Sequence, residues 1–175
     1  MRNAIVLASC CWLSASVLAE SAAGVRWTAP DGWANEGSRP MRAATYRIAP
    51  AAGDKASAEC GVYFFGTGQG GTIDANLERW KGQFKDSNGK VAPAQIAKRT
   101  VHGLTITTID TAGEYSGMGG PMAAASSPVQ GYRLLGAIVA ASGGNIFVKL
   151  TGPAKTIAAN QQKFEQMLAS FQPDK

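Results

Sequence analysis

Any imidazole chemistry in this chain would centre on His102, the only histidine among its 175 residues. A set formed with Asp110 and a serine, or a pair formed with Cys60, would be the machinery of a hydrolase. However, no G-x-S-x-G nucleophile elbow occurs, and the dipeptide His102-Gly103 is typical of a solvent-exposed hairpin turn. We therefore expect a noncatalytic protein without a cofactor, and a hydrolase that uses His102 ranks last among the alternatives.

A second candidate is the glycine-rich segment 66–72, in which Gly66, Gly68 and Gly71 match the pattern G-x-G-x-x-G. A dinucleotide site would also need an acidic residue after the following helix, and the segment after that helix has no acidic strand end. The free backbone N–H groups at the start of a helix can instead bind an anion such as phosphate or a carboxylate. The predicted ligand-binding residues are Gly68, Gly70, Gly71 and Thr72. The alternative is a sharp turn that needs glycine.

A third candidate is the segment 112–131, which is rich in Gly, Pro, Ser and Ala and contains Met118 and Met122. Thioether sulfurs are soft ligands that suit Cu(I), so a soft-metal site at Met118 and Met122 is one alternative, although two ligands are too few and His102 would have to join them. We expect no resident metal. The other interpretation is an adaptable apolar loop that rests on a partner or on the domain itself. We therefore predict a partner-binding loop with Tyr115, Met118 and Met122, whose partner is a protein or a component of the cell envelope.

The first nineteen residues combine one positive charge, at Arg2, with an apolar run too short to span a bilayer and small residues at its end. This pattern predicts a signal peptide over residues 1–19 that is cleaved after Ala19. Cleavage after Ala23 and lipid attachment at Cys10 are the alternatives. Export to the periplasm or beyond would leave a single domain over residues 20–175, with its core at about 24–171 and no transmembrane helix.

The composition narrows the class of protein. Charged residues make up 17% of the chain and glycine occurs 21 times, which excludes a long coiled coil and favours a loop-rich mixed fold. Loss of Arg2 would lower the net charge of +5 by one, and the basic residues are spread along the chain. In an exported protein they would meet anionic lipid, cell-wall polymer or an acidic protein rather than nucleic acid. Cys60 would then be the single cysteine, and we expect it to be buried.

Two helices and several strands must position these residues. Ile73, Leu77, Trp80 and Phe84 recur at helical spacing after Thr72, and a second amphipathic helix follows Gly152-Pro153 and extends to about Phe171. Residues 134–140 are apolar at every position, as in a central strand that is covered on both faces. In residues 146–151 the pattern places Lys149 on the wetter face, and we expect residues 172–175 to be frayed. The pattern predicts an α+β fold, an antiparallel sheet flanked by two main amphipathic helices.

Three blocks of the sequence resemble a family of uncharacterised bacterial exported proteins. They are GGTIDANLERWKGQF at residues 70–84, GYRLLGAIV at 131–139 and FVKLTGPAKTIAANQQKFEQMLASF at 147–171, with the pairs Arg79-Trp80 and Gly152-Pro153 as markers. That family is similar in fold to the PsbP-like sandwiches, whose relatives are mostly binding or assembly modules. The resemblance implies the fold and export, and it assigns no catalytic residue.

Overall fold

The computed structural model of this chain describes residues 19–117 and 127–174. Neither helix in these ranges has the length and apolar character that a bilayer crossing demands. The helices are α1 (Ile73–Lys81) and α2 (Ala154–Ser170). The strands are β1 (Ala19–Ala22), β2 (Val25–Thr28), β3 (Ala34–Asn35), β4 (Arg42–Ile48), β5 (Ala58–Phe64), β6 (Phe84–Lys85), β7 (Ala94–Val101), β8 (Leu104–Tyr115), β9 (Val129–Ala141), β10 (Gly144–Pro153) and β11 (Gln172–Pro173).

The strands form two antiparallel sheets. The large sheet has the order β3-β4-β5-β10-β9-β8-β6, and β7 pairs with β8 as a hairpin beside β6. The small sheet has the order β1-β2-β11. The predicted α+β class with an antiparallel sheet is confirmed, and strands dominate the described part of the chain.

Both faces of the large sheet are buried at its centre. On one face Val148 packs in a cluster with Ile157 and Phe164 of α2. On the other face Phe147 packs in a second cluster with Leu77 and Trp80 of α1. The adjacent β9 contributes side chains to both clusters, as its unbroken apolar run predicts.

The hairpin at His102-Gly103 is confirmed. Val101 pairs with Leu104, and the two residues between them have φ angles of 47° and 83°. Two successive positive φ values form the turn that matches the twist of antiparallel strands.

Three boundaries differ from the sequence prediction. Phe84 lies in β6 rather than on α1, because the helix ends at its cap Gly82 and the next N–H, of Gln83, bonds to the Trp80 carbonyl three residues back instead of continuing the helical ladder. Phe84 nevertheless reaches the same apolar cluster as Trp80. The C-terminal segment is not frayed, since β11 pairs with β2 and the Asp174 N–H donates to the Gly24 carbonyl at 2.9 Å.

The segment 112–131 is also shorter as a loop than predicted. The two strands stay paired as far as Tyr115 and Val129, so β8 extends to Tyr115 and β9 begins at Val129. Its central residues, 118–126, lie outside the described part of the chain.

Candidate ligand-binding site

Lys149 lies in the middle of β10, and it is the main departure from the predicted pattern. Its side chain is on a buried face and the residue is only 7% exposed. Its Nζ donates a hydrogen bond to Oε1 of Gln83 at 3.0 Å and lies 5.7 Å from the centre of the Trp80 ring. Within residues 19–117 and 127–174, no carboxylate forms an ion pair with it. The amine is therefore a buried cation whose only hydrogen-bond partner there is a neutral amide.

Glycines stand on both sides of Lys149 in the sheet, Gly61 on β5 and Gly136 on β9. A Cβ added at Gly61 would lie 2.7 Å from Cε2 of Tyr63, and one at Gly136 would lie 2.7 Å from Cζ3 of Trp80. Such distances are far inside van der Waals contact, so both rings require bare backbone beneath them. The two glycines therefore admit an aromatic ring on each side of the amine.

Two arginines add positive charge around this lysine. Arg42 on β4 lies over the Tyr63 ring, 5.0 Å from its centre, and its Nη1 forms an ion pair with Glu59 at 2.8 Å. Arg79 on α1 donates to Oδ1 of Asn76, which is a neutral acceptor. Three cations therefore face one carboxylate on this part of the sheet.

The environment lowers the pKa of Lys149 from its ordinary value of 10.5 to about 8. The main cause is desolvation, which disfavours the charged amine, and the positive charges of Arg79 and then Arg42 act in the same direction. The carboxylate of Glu59 opposes them. A bound anion would relieve this imbalance.

We call this site the basic recess, formed by Arg42, Tyr63, Phe65, Arg79, Trp80, Phe147 and Lys149. It has a small inner part of about 40 Å³, lined by the aromatic side chains, Arg79 and Lys149. A larger outer part of about 470 Å³ shares Tyr63, Phe65 and Arg79 with the inner part and adds a rim. That rim consists of Pro40, Met41, Arg42 and Gln83. The recess is thus an aromatic pocket with excess positive charge that opens to solvent.

The glycine-rich segment occupies a different place. Gly68, Gly71 and Thr72 line a shallow cavity of about 400 Å³ whose other lining residues, Gln69, Gly144 and Asn145, are uncharged. Gly70 does not line it but abuts Phe147 and Phe65. All the glycines from 66 to 71 have positive φ, as sharp turns require, and Thr72 caps α1 by accepting from the Ala75 N–H. Anion binding at this loop remains a prediction.

Of the predicted partner residues, only Tyr115 lies in the described part of the chain; Met118 and Met122 lie outside it. Tyr115 ends β8 and packs between the rings of Phe84 and Tyr132, with centres 4.9 Å and 5.8 Å away. These contacts hold its ring within the protein. Among residues 19–117 and 127–174, no group of three or more His, Cys, Asp or Glu could hold a metal ion.

The hydrolase residues do not come together. His102 is exposed at its turn, where Nδ1 lies 2.9 Å from the Phe171 carbonyl oxygen. Asp110 lies six residues beyond Leu104 along β8, about 20 Å away, and is held by Arg133 through two hydrogen bonds. Cys60 is fully buried, as predicted, and burial raises the pKa of its thiol.

Sequence reasoning did not find the basic recess, because its residues come from four separate segments of the chain. Two signals were present. Lys149 interrupts an otherwise apolar run, and the Arg79-Trp80 pair, a marker of the family resemblance, contributes both of its side chains to the pocket. The two signals can be connected only when the strand register is known, since that register places Lys149 between Gly61 and Gly136.

No protein-family model and no curated protein matches this chain. Among solved structures, the cyanobacterial PsbP (CyanoP) from Synechocystis sp. PCC 6803 is similar over 95% of this chain and 98% of its own, with 14% identity and a TM-score of 0.54. The chain has a PsbP-like fold. A protein of unknown function from Pseudomonas aeruginosa, PA94, is also similar, with 13% identity over 86% of this chain and 92% of its own and a TM-score of 0.48.

The PsbP-like fold confirms the fold that the resemblance implies, whereas export stays a prediction. The fold accounts for the sheet on which the basic recess is built, but it assigns no role to any residue, since one fold hosts many functions. The function therefore has to be argued from the chemistry of the recess.

Proposed function

We propose that this chain is a noncatalytic binding module that holds an anionic ligand in the basic recess. The observation that carries this proposal is the Lys149 amine, which is buried on an aromatic floor without a carboxylate partner among the described residues. Taking a cation out of water costs several kcal/mol, as an order of magnitude, unless an opposite charge compensates it. A ligand anion supplies that charge.

The adjacent groups support the same conclusion. Arg79 and Arg42 border the recess, and among the described residues a carboxylate, that of Glu59, pairs with Arg42 but none pairs with Arg79. If Lys149 served only to stabilise the fold, its neighbours would be expected to include an acid rather than two further cations. Both parts of the recess are open to solvent, and Lys149 itself lines the smaller part, so a ligand can approach the amine.

The wider setting is part of the proposal. We infer that residues 1–19 direct export and that the binding module acts in the periplasm or outside the cell, as the N-terminal pattern indicates. There the protein would act as an accessory module toward a protein or envelope component, with the segment 112–131 as its second contact. These inferences rest on the sequence, and the anion site does not depend on them.

The test is calorimetric titration with acetate, benzoate, phosphate and sulfate at constant ionic strength, which keeps screening equal. We expect at least one anion to bind, and Lys149→Met to weaken that binding by about tenfold or more. Lys98→Met is the matched control, because Lys98 is exposed on β7 and the charge change is identical. An anion that binds Lys149→Met as tightly as the wild type, or no binding by any of them, would contradict the proposal.

A further inference from the structure

The basic recess is divided into two parts with different linings, and this division constrains the ligand. The inner part, about 40 Å³, lies against Lys149, Arg79 and Trp80. It can hold only a few atoms, since a single water needs roughly 10–15 Å³ of such space. The head group of the ligand must therefore be small.

The charges of the inner part favour a carboxylate. Lys149 and Arg79 reach it, and each is hydrogen-bonded to a neutral amide, of Gln83 and Asn76 respectively. A guanidinium matches the two oxygens of a carboxylate with its own paired donors. The flat aromatic walls of Tyr63 and Trp80 suit a planar group better than a tetrahedral one.

The outer part has a different character. Its volume is about 470 Å³, and its lining includes the rings of Tyr63 and Phe65 together with Pro40 and Met41. Met41 is the most exposed large apolar side chain among the described residues, at 66%, and its backbone has a φ of 65°. A flexible, polarisable thioether held at the mouth of a pocket adapts to apolar ligands of varied shape.

The third cation reinforces this division. Arg42 lines the outer part but not the inner part, and its charge is balanced by Glu59 at 2.8 Å. The outer part therefore carries less free positive charge than the inner part. This gradient orients an amphiphilic anion with its charge inward and its apolar body toward Met41.

We propose that the ligand is an organic carboxylic acid with an aromatic or apolar body, whose carboxylate lies between Lys149 and Arg79 in the inner part and whose body fills the outer part. This inference rests on the proposed function, because it assigns a chemical class to the anion that the recess binds.

The experiment compares ligands that differ in one part only. 3-Phenylpropionate is titrated beside acetate, which lacks the body, 3-phenylpropionamide, which lacks the charge, and phenyl phosphate, which changes the head group. We expect 3-phenylpropionate to bind about tenfold or more tightly than each of the other three. Equal binding of acetate, or tighter binding of phenyl phosphate, overturns the carboxylic acid assignment while leaving anion binding intact. If none of the anions binds, the proposed function itself fails.

A variant pair locates the body of the ligand. Met41→Asn removes the apolar side chain at a position where asparagine tolerates positive φ, so the fold is preserved. We expect it to weaken 3-phenylpropionate several-fold and to leave acetate unchanged. The control is Val91→Asn, which removes an exposed apolar side chain away from the recess. Equal affinity of Met41→Asn and wild type for 3-phenylpropionate would overturn the placement of the body against Met41.

Discussion

The ammonium group of Lys149 lies 5.7 Å from the centre of the Trp80 ring, and this contact joins the middle of the sheet to helix α1. The aromatic face attracts the cation and partly replaces the water that the amine has lost. It does not replace a counter-ion. The contact with Trp80 therefore compensates only part of the cost of burying the Lys149 charge, and in the proposed function an anion supplies the rest.

The first prediction is that Lys149→Met gives a more stable protein at neutral pH. Methionine fills a similar volume without a buried charge, so we expect the free energy of unfolding to rise by about 1–3 kcal/mol. The loss of the hydrogen bond to Gln83 reduces this gain. Denaturant titration measures it. In the folded wild type the Lys149 amine loses its proton at about pH 8, whereas in the unfolded chain it loses it only near pH 10.5. Wild-type stability therefore increases between these two pH values, and the difference in stability between Lys149→Met and wild type decreases. A variant less stable than wild type at pH 7 would show that the lysine supports the fold.

The second prediction concerns the pH dependence of ligand binding. The titratable groups that face Lys149 are Arg42, Arg79, Glu59 and Tyr63. Burial raises the pKa of Tyr63, whereas the pKa of Lys149 is lowered to about 8. Anion affinity is expected to be constant below about pH 8 and to fall about tenfold per pH unit above it, because binding requires the protonated amine. Calorimetry over pH 6–10 measures this. A flat profile to pH 10 would exclude Lys149 as the anion contact.

Arg79→Gln supplies the third prediction, which isolates one cause of the lowered pKa. Removing the guanidinium charge beside Lys149 should move the pKa of the amine from about 8 back toward its ordinary value, with desolvation still holding it below 10.5. NMR titration of the Lys149 side-chain carbon next to the amine reads this directly. The control is Arg99→Gln, since Arg99 pairs with Glu165 on the other part of the molecule. An unchanged or lower midpoint in Arg79→Gln would contradict the charge distribution of the recess.

The fold was more accessible from the sequence than the site, for a physical reason. Burial on both faces of residues 134–140 in β9 leaves an apolar residue at each position, and a positive-φ turn selects residues such as the Gly103 of the hairpin, so both can be predicted locally. Lys149 could not be placed correctly by alternation alone. Its face is closed by Trp80 and Gln83, which are brought there by the packing of α1 and the turn after it. The short β11 likewise has no local signal, because its order comes from its pairing with β2 and from the contacts of Arg26 and Gly24 with residues 172–174, all distant in sequence.

The fourth prediction tests the glycine on which Trp80 rests. In Gly136→Ala the new Cβ would lie 2.7 Å from Trp80 and 2.8 Å from Ile109, so the indole must shift. We expect a loss of about 1–3 kcal/mol of stability and weaker anion binding. Gly82→Ala is the control, because its Cβ meets nothing closer than the Glu78 carbonyl oxygen at 3.4 Å and its φ is −61°. Equal stability and affinity in the two variants would show that the recess does not depend on the bare backbone at Gly136.

The last prediction concerns the mature N-terminus. Glu20 follows the proposed cleavage site, and its carboxylate accepts hydrogen bonds from the Tyr46 hydroxyl and the Asn35 amide. The Tyr46 hydroxyl also accepts from Trp27 Nε1 at 2.9 Å, so this chain of bonds ties β1 to the core. Cleavage after Ala23 would delete β1, whereas cleavage after Ala19 keeps Glu20 and nearly the whole of the strand.

We therefore expect the intact mass of the exported protein to correspond to loss of residues 1–19. Ala19→Arg should block this processing, because the residue before the cut must be small. Glu20→Ala should be processed normally but destabilise the folded protein by about 1.5–3 kcal/mol, the range for a hydrogen bond to a charged group. Two outcomes would contradict this assignment. A mature protein that begins at Gly24 would lack Glu20, and a mature protein that carries lipid on Cys10 would keep residues 10–19 as a membrane-anchored segment before Glu20.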